Sequence, residues 1–192
     1  MKKILFFSLT ASLLLFIACK DGGQKPAAAS SEQSVEETIP QDVEEVIASE
    51  DDQSMMFVDL EEPDVNGQLH KLSEFVGQGQ WVLIDFWASW CPPCRAEMPN
   101  VAACYEKYHA KGFNIVGLSF DKSHESWVTA ISELNMPWVH LSDLQGWESV
   151  AAQVYGVESI PASLLVDPTG RIVDANLRGD ALGERLAQIF GE

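Results

Sequence analysis

The sequence predicts an α/β domain in which a mixed central sheet carries helices on both faces. The run Trp81–Trp87 is almost continuously apolar, which is typical of a central strand buried on both faces. Further strand-like runs alternate with segments whose apolar residues recur every three or four positions. The tetrad Asp167–Gly170 is turn-forming and separates 162–167 from 171–175, which predicts an antiparallel hairpin.

The remaining elements follow in chain order. Asn66-Gly67 is a hairpin-type turn signal after a strand over Met56–Leu60. Further strands are expected over 113–120 and 139–141, and Ser123 is placed to cap the helix between them. The apolar faces of the four predicted helices are Met98, Val101, Tyr105 and Tyr108; Trp127, Ala130, Ile131 and Leu134; Trp147, Val150, Ala151 and Val154; and Leu182, Leu186 and Ile189.

Charge argues against a nucleic-acid partner. The 192 residues carry a formal net charge of −17, whereas phosphate binding requires clustered Lys and Arg. The excess is concentrated near the N-terminus, because residues 20–62 contain 13 acidic and 2 basic side chains.

The N-terminus has the pattern of an export signal. Lys2 and Lys3 precede a 14-residue apolar run, 4–17, which is shorter than the roughly 20 residues of a membrane span. The run ends at Ala18-Cys19, which resembles a bacterial lipobox, although Phe16 stands where that signal usually has Leu. We therefore predict a signal peptide over 1–18 and a lipid on Cys19. An ordinary signal peptide cleaved elsewhere, or an uncleaved anchor, stays open.

Residues 19–54 are predicted to be an acidic flexible tether, because their low hydrophobicity and high charge cannot offset the entropy of ordering. The folded domain is expected over 55–192. These assignments place it outside the cytoplasm, lipid-anchored in a bacterial cell envelope, with the periplasmic face expected. Cysteine pairs become disulfides in such compartments unless something reduces them.

The chemistry is expected at Cys91-Pro92-Pro93-Cys94, where a buried strand gives way to a helix. A helix N-terminus carries partial positive charge and free N–H groups, so it favours a thiolate. Only the first cysteine should project toward solvent, which makes Cys91 the candidate nucleophile and Cys94 the resolving thiol. A zinc site at these cysteines would need further ligands, which the sequence does not supply. A purely structural disulfide would stabilise the fold very little, because it closes a loop of only a few residues.

Three segments in order resemble the thioredoxin-like superfamily. These are Asp85–Cys94, Pro99 at the position of the family's helix kink, and Tyr155–Pro161. The extra helix and strand around 127–141, with an N-terminal extension, look like the TlpA/ResA-like branch. That resemblance implies a thioredoxin-like fold and a membrane-attached, extracytoplasmic thiol–disulfide oxidoreductase that generally works as a reductant. Its redox centre would be the cysteine pair alone, with no cofactor and no metal.

The resemblance also implies individual roles. The Ile160–Pro161 bond would be cis and face the disulfide, with the Ile160 backbone offering hydrogen bonds to substrate. Trp90 and Pro92 border the cysteine pair and are expected to contact substrate. Asp85 interrupts a buried apolar run, so its raised pKa would suit it to accept the proton of Cys94.

The expected partners are protein thiols and disulfides, of which apocytochrome c is one that fits, and a membrane-embedded electron donor that re-reduces the domain. The domain is expected to be a monomer. Two alternatives stay open. A peroxiredoxin-like peroxidase would require Thr three residues before Cys91, where this chain has Ala88. A copper-binding module would use Cys91, Cys94 and a distant His140. Cys104 is expected to be a buried thiol.

Overall fold

The computed structural model describes residues 56–191, so the predicted signal peptide 1–18, the tether 19–54 and Cys19 lie outside the described residues. A small antiparallel sheet comes first, formed by β1 (Glu61–Pro63) and β2 (Leu69–Lys71). Asn66-Gly67 does lie in the turn between them, with Gly67 at φ 81°. No transmembrane span is found over 56–191, where every helix is too short or too polar for one.

The prediction of a strand over Met56–Leu60 is wrong. Met56 forms only an isolated bridge with Arg171, and the N–H of Phe57 donates to the carbonyl of Gly170. The hydroxyl of Tyr155 donates to the carbonyl of Val58 and accepts from its N–H. The segment is extended, but its hydrogen bonds go to a turn and a side chain instead of a ladder.

The central sheet has five strands in the order β5-β4-β3-β6-β7. They are β3 (Trp81–Trp87), β4 (Phe113–Ser119), β5 (Val139–Leu141), β6 (Ala162–Val166) and β7 (Ile172–Ala175). Strand β3 is parallel to β4 and antiparallel to β6, so the sheet is mixed, as predicted. All residues of β3 after Trp81 are buried, which explains its apolar run.

Four helices complete the domain: α1 (Pro92–Tyr108), α2 (His124–Glu133), α3 (Val150–Tyr155) and α4 (Asp180–Phe190). Short 3₁₀ turns span Leu72–Glu74, His109–Lys111 and Gly146–Glu148.

Adjacent residues of a strand point to opposite faces of the sheet. The ring of Phe86 lies 5.4 Å from Tyr155 of α3, whereas its neighbour Asp85 is electrostatically coupled to Glu97 of α1. Helices α1 and α3 therefore cover opposite faces.

The predicted apolar face of α3 is correct only for Ala151, which is buried. Trp147, Val150 and Val154 are 45%, 46% and 40% exposed, and Ala152 faces the core together with Ala151. Trp147 belongs to the preceding 3₁₀ turn, and the extended Ser149 (φ −61°, ψ 149°) interrupts the helical phase before α3 begins. The apolar pattern therefore identified the helix, but three of its four residues face solvent and not the core.

Candidate active site

Cys91 and Cys94 form a disulfide at the beginning of α1, with their Cα atoms 5.3 Å apart. Cys91 is the N-cap residue, in an extended conformation, and its Sγ accepts a hydrogen bond from the N–H of Cys94 over 3.2 Å. Pro92 and Pro93 occupy the first helical positions, where a missing N–H costs no hydrogen bond. The cap of this helix is thus a sulfur atom.

Cys94 is enclosed, as the sequence suggested, and Cys91 is more enclosed than expected. Cys91 is 3% exposed and Cys94 is fully buried. The expectation that Cys91 projects into solvent is therefore corrected: only a small edge of this residue is accessible. The neighbouring Trp90, at 50% exposed, and the exposed Pro92 form the surface beside that edge. A partner disulfide would have to approach Cys91 from their side.

Asp121 holds the loop that leads into the cysteines. Its carboxylate is buried and accepts from the N–H of Ser89 at 2.9 Å, from the Ser89 hydroxyl at 2.5 Å and from the Ser119 hydroxyl at 2.7 Å. Sequence reasoning missed this residue. Asp121 comes just after the buried strand β4, next to the end of β3, and that placement is the signal that could have found it.

The Ile160–Pro161 peptide bond is cis, the geometry that the family resemblance implies for it. Pro161 is buried and Ile160 half-buried, directly before β6. Because Ala162 pairs with Phe86 near the end of β3, the Pro161 loop lies at the edge of the sheet from which the cysteine loop also departs. The guanidinium of Arg178 donates to the carbonyl of Pro161 and so ties this loop to the segment before α4.

Asp85 is buried in the middle of the sheet, opposite Gly117 on β4 and Ser163 on β6. Burial, reinforced by the Glu97 carboxylate, raises the pKa of Asp85 from 3.8 to about 7, against a smaller opposing effect of Arg178. Its Oδ2 atom has no hydrogen-bond partner. Such a carboxyl is able to exchange a proton near neutral pH.

Glu97 is a second carboxylate that sequence reasoning missed. It is half-buried on α1, and its Oε1 accepts from the N–H of Gly179 at 2.7 Å and from the Asn100 amide at 2.9 Å. Its position three residues after Cys94 places it on the same side of α1, next to Asp85. That spacing was readable in the sequence.

The other candidate groups are engaged elsewhere. Arg95 forms an ion pair with Glu133 at 3.0 Å, on the protein surface. Cys104 is a free buried thiol, as expected, and burial raises its pKa. His140 is buried against Trp87, and desolvation lowers its pKa to about 3. Within 56–191, no three His, Cys, Asp or Glu side chains are grouped so that they could hold a metal ion.

A thioredoxin-like fold with a vicinal cysteine pair at a helix start defines the class of thiol–disulfide oxidoreductases. The chain belongs to the AhpC/TSA family, whose model matches residues 54–175. It is 30% identical over 125 residues to the thiol-disulfide oxidoreductase ResA of Bacillus thuringiensis subsp. konkukian, covering 65% of this chain and 69% of that protein. It is also 38% identical over 103 residues to the tryparedoxin of Trypanosoma brucei brucei, and the match covers 52% of this chain and 70% of the tryparedoxin.

Solved structures agree with the fold and the class. A thiol-disulfide oxidoreductase from Bacteroides fragilis superposes with a TM-score of 0.65 at 28% identity, over 70% of this chain and 98% of that one. A thiol:disulfide interchange protein from Bacteroides sp. superposes with a TM-score of 0.63 at 32% identity, over 72% of this chain and 90% of that one. The protein is a thiol–disulfide oxidoreductase with a thioredoxin-like fold, and the peroxidase alternative is not favoured.

Proposed function

We propose that this protein is a lipid-anchored extracytoplasmic reductant of protein disulfides, with Cys91 as its nucleophile. The observation that carries the proposal is the position of the Cys91 sulfur at the N-cap of α1, where it accepts the Cys94 N–H. The positive end of a helix favours the anionic form of this sulfur, and the thiolate is the form that attacks disulfides.

The cycle begins with the reduced pair. The Cys91 thiolate attacks one sulfur of the substrate disulfide, forms a mixed disulfide and expels the other substrate sulfur as a thiolate, which takes up a proton. Asp85 accepts the proton of Cys94, in keeping with its burial and its pKa of about 7. The Cys94 thiolate then attacks Cys91, releasing the second substrate thiol and leaving the Cys91–Cys94 disulfide. Two electrons and two protons from a membrane-embedded donor restore the dithiol.

The contacts of Cys91 support the direction of electron flow. Pro92 and Pro93 have no N–H to offer, and the Cys94 N–H is the backbone donor found on the sulfur. Arg95 is paired with Glu133 and is not available as a counter-ion. A thiolate with few stabilising contacts keeps a higher pKa, and a higher thiol pKa accompanies a more reducing protein.

The membrane location rests on the N-terminal sequence, with its basic start, 14-residue apolar run and Ala18-Cys19. A relative named thiol-disulfide oxidoreductase ResA supports the same class of enzyme. Apocytochrome c, whose paired thiols must be reduced before haem attachment, is one substrate of the kind that such an enzyme would serve.

A redox titration tests the direction. The domain would be equilibrated with glutathione buffers and its dithiol fraction measured by alkylation and mass spectrometry. We expect a potential nearer the roughly −270 mV of thioredoxin than the roughly −120 mV of the oxidant DsbA. A value near the latter would contradict the reductant role. For the anchor, Cys19→Ser should move the full chain from the membrane fraction to the soluble fraction of the envelope, and an unchanged distribution would contradict lipidation at Cys19.

A further inference from the structure

Seven large apolar side chains are strongly exposed in the part of the chain that the structure describes; of these, Trp90 directly precedes Cys91, the Trp147 ring lies beside that of Trp90, and Val150 and Val154 follow Trp147 along the chain on α3. Trp90, Trp147, Val150 and Val154 are 50%, 45%, 46% and 40% exposed, and we call them the apolar platform. The others are Met56, Val58 and Leu69. Exposing apolar area to water is unfavourable, so several exposed apolar side chains close to a reactive centre indicate an interaction surface.

Contacts with Phe120 hold both indoles of the platform in place. The Trp90 Nε1–H donates to the carbonyl of Phe120 at 3.2 Å. The Trp147 ring lies 5.3 Å from the ring of Phe120, which is fully buried, and 6.3 Å from the ring of Trp90. Rigid aromatic surfaces bind apolar groups with little loss of conformational entropy. The platform is therefore ready to bind before a partner arrives.

The platform is connected along the chain to the redox centre in two places, at Cys91 and at Pro161. Trp90 directly precedes Cys91, and Val150 and Val154 lie one turn apart on α3, which leads through 156–160 to Pro161. A polypeptide whose cysteine is attacked by Cys91 thus has this apolar surface beside it. Acidic residues flank the platform along the chain: the exposed Glu148 directly follows Trp147, and the exposed Glu158 lies in the loop between α3 and Pro161.

We propose that the apolar platform selects substrates, by binding a bulky apolar side chain within a few residues of the cysteine that Cys91 attacks. The occupant is an extended, disulfide-bearing polypeptide segment without acidic residues near that cysteine. This inference rests on the proposed redox function and adds a specificity determinant to it: Trp147, on an element remote in sequence from the cysteines, contributes to substrate choice and not to bond exchange.

The test compares three disulfides with the reduced domain. Two are peptides with one intramolecular disulfide that differ only in Trp or Ser two residues from the cysteine, and the third is bis(2-hydroxyethyl) disulfide, which is small and has no bulky apolar group. The wild-type domain should reduce the Trp peptide about tenfold faster than the Ser peptide, in kcat/KM. Trp147→Ser should remove most of that preference, Trp147→Phe should retain it, and Val154→Ser should weaken it. None of these three variants should change the rate with bis(2-hydroxyethyl) disulfide, which offers the platform nothing to bind.

Leu69→Ser is the matched control, because Leu69 is 59% exposed but belongs to the separate small sheet. It should leave all three rates unchanged. The proposal is overturned if wild type shows no preference for the Trp peptide, if Trp147→Ser keeps that preference, or if Leu69→Ser abolishes it equally. Failure of wild-type domain to reduce any of the three disulfides would instead refute the proposed function.

Discussion

The N–H of Cys94 donates to the sulfur of Cys91 across 3.2 Å, so the resolving cysteine also supplies a backbone hydrogen bond to the nucleophile. The two prolines between them leave the first turn of α1 without other N–H groups directed at that sulfur. The number of donors on Cys91 is therefore set by the sequence Cys-Pro-Pro-Cys, and it can be changed by substitution.

Pro93→His adds an N–H and a titratable ring to the first turn of α1. Additional donors and positive charge stabilise the thiolate, so the pKa of Cys91 should fall by about one unit and the reduction potential should rise by about 30 mV. Iodoacetamide alkylation against pH gives the former, and glutathione equilibration gives the latter. Pro93→Ala, which adds the N–H alone, should show a smaller change in the same direction. A lower potential in Pro93→His would contradict this account of the reductant character.

Asp85→Asn tests the proton acceptor. Resolution of a mixed disulfide by Cys94 should slow by about 10²–10³-fold, in line with the usual contribution of a general base, and its rise with pH near 7 should disappear. Attack by Cys91 on a small disulfide should change much less. Stopped-flow measurement of the two phases separates these steps. An unchanged resolution rate would remove Asp85 from the mechanism.

Asp85 also makes stability depend on pH, with a definite sign. Its pKa is about 7 in the fold against 3.8 for an unperturbed Asp, so between these values the folded state binds more protons than the unfolded state. The free energy of unfolding should therefore fall as pH rises from about 4 to about 7. Glu62, buried near Asp143 with its pKa raised to about 7, acts in the same direction.

Urea titrations of wild type and Asp85→Asn at pH 4 and pH 8 measure this effect. The free energy of unfolding of Asp85→Asn, taken relative to that of the wild type, should be higher at pH 8 than at pH 4 by on the order of 2–4 kcal/mol. A gap that is the same at pH 4 and pH 8 would show that Asp85 ionises normally in the fold.

Asp121→Ala should destabilise the domain by about 2–4 kcal/mol, because it leaves the N–H of Ser89 and two hydroxyls without their buried acceptor. Asp59 offers a matched control: it accepts from the N–H and hydroxyl of Ser73 at 2.8 Å each, but on the surface. Asp59→Ala should cost less than about 1 kcal/mol. Equal losses in urea denaturation would show that burial of Asp121 is not what matters.

Gly117→Ala probes the packing under the sheet. A Cβ atom there would lie 2.5 Å from His140 Nδ1 and 3.1 Å from Trp87 Nε1, so the imidazole ring of His140 must shift. We expect a loss of about 1–3 kcal/mol in the free energy of unfolding. Gly183→Ala on α4 is the control, since its Cβ would meet only Cys104 Sγ at 3.9 Å; higher helix propensity should stabilise it by up to about 1 kcal/mol. Loss of stability in both, to the same extent, would contradict the packing argument.

Much of the fold was predictable because burial on both faces leaves a clear trace. Trp81–Trp87 and Val139–Leu141 were predicted with the bounds that the structure shows. The face of α3 was predicted correctly only at Ala151, because periodicity reports that apolar residues share a side but not whether that side meets the core or water. For α3 the small Ala151 and Ala152 pack inward, and the larger side chains form a surface.

The cysteine pair was predictable from local spacing, whereas for Asp121 and Glu97 the sequence indicates a place near the site but not the groups that they bind. Asp121 bonds to Ser89 across 32 residues, and Glu97 bonds to Gly179 across 82. Such contacts depend on how β4 and the segment before α4 are brought to the cysteine loop, and a linear pattern does not encode that distance. Asp85 was predictable because a charge inside an apolar strand is conspicuous in the sequence.

Trapping with Cys94→Ser tests the central claim most directly. The reduced variant would be mixed with a peptide disulfide, quenched with acid, digested and analysed by mass spectrometry. The account predicts a stable mixed disulfide on Cys91, and no comparable adduct on Cys94 in the Cys91→Ser variant. An adduct on Cys104, equal trapping on Cys94, or no adduct at all would contradict Cys91 as the nucleophile.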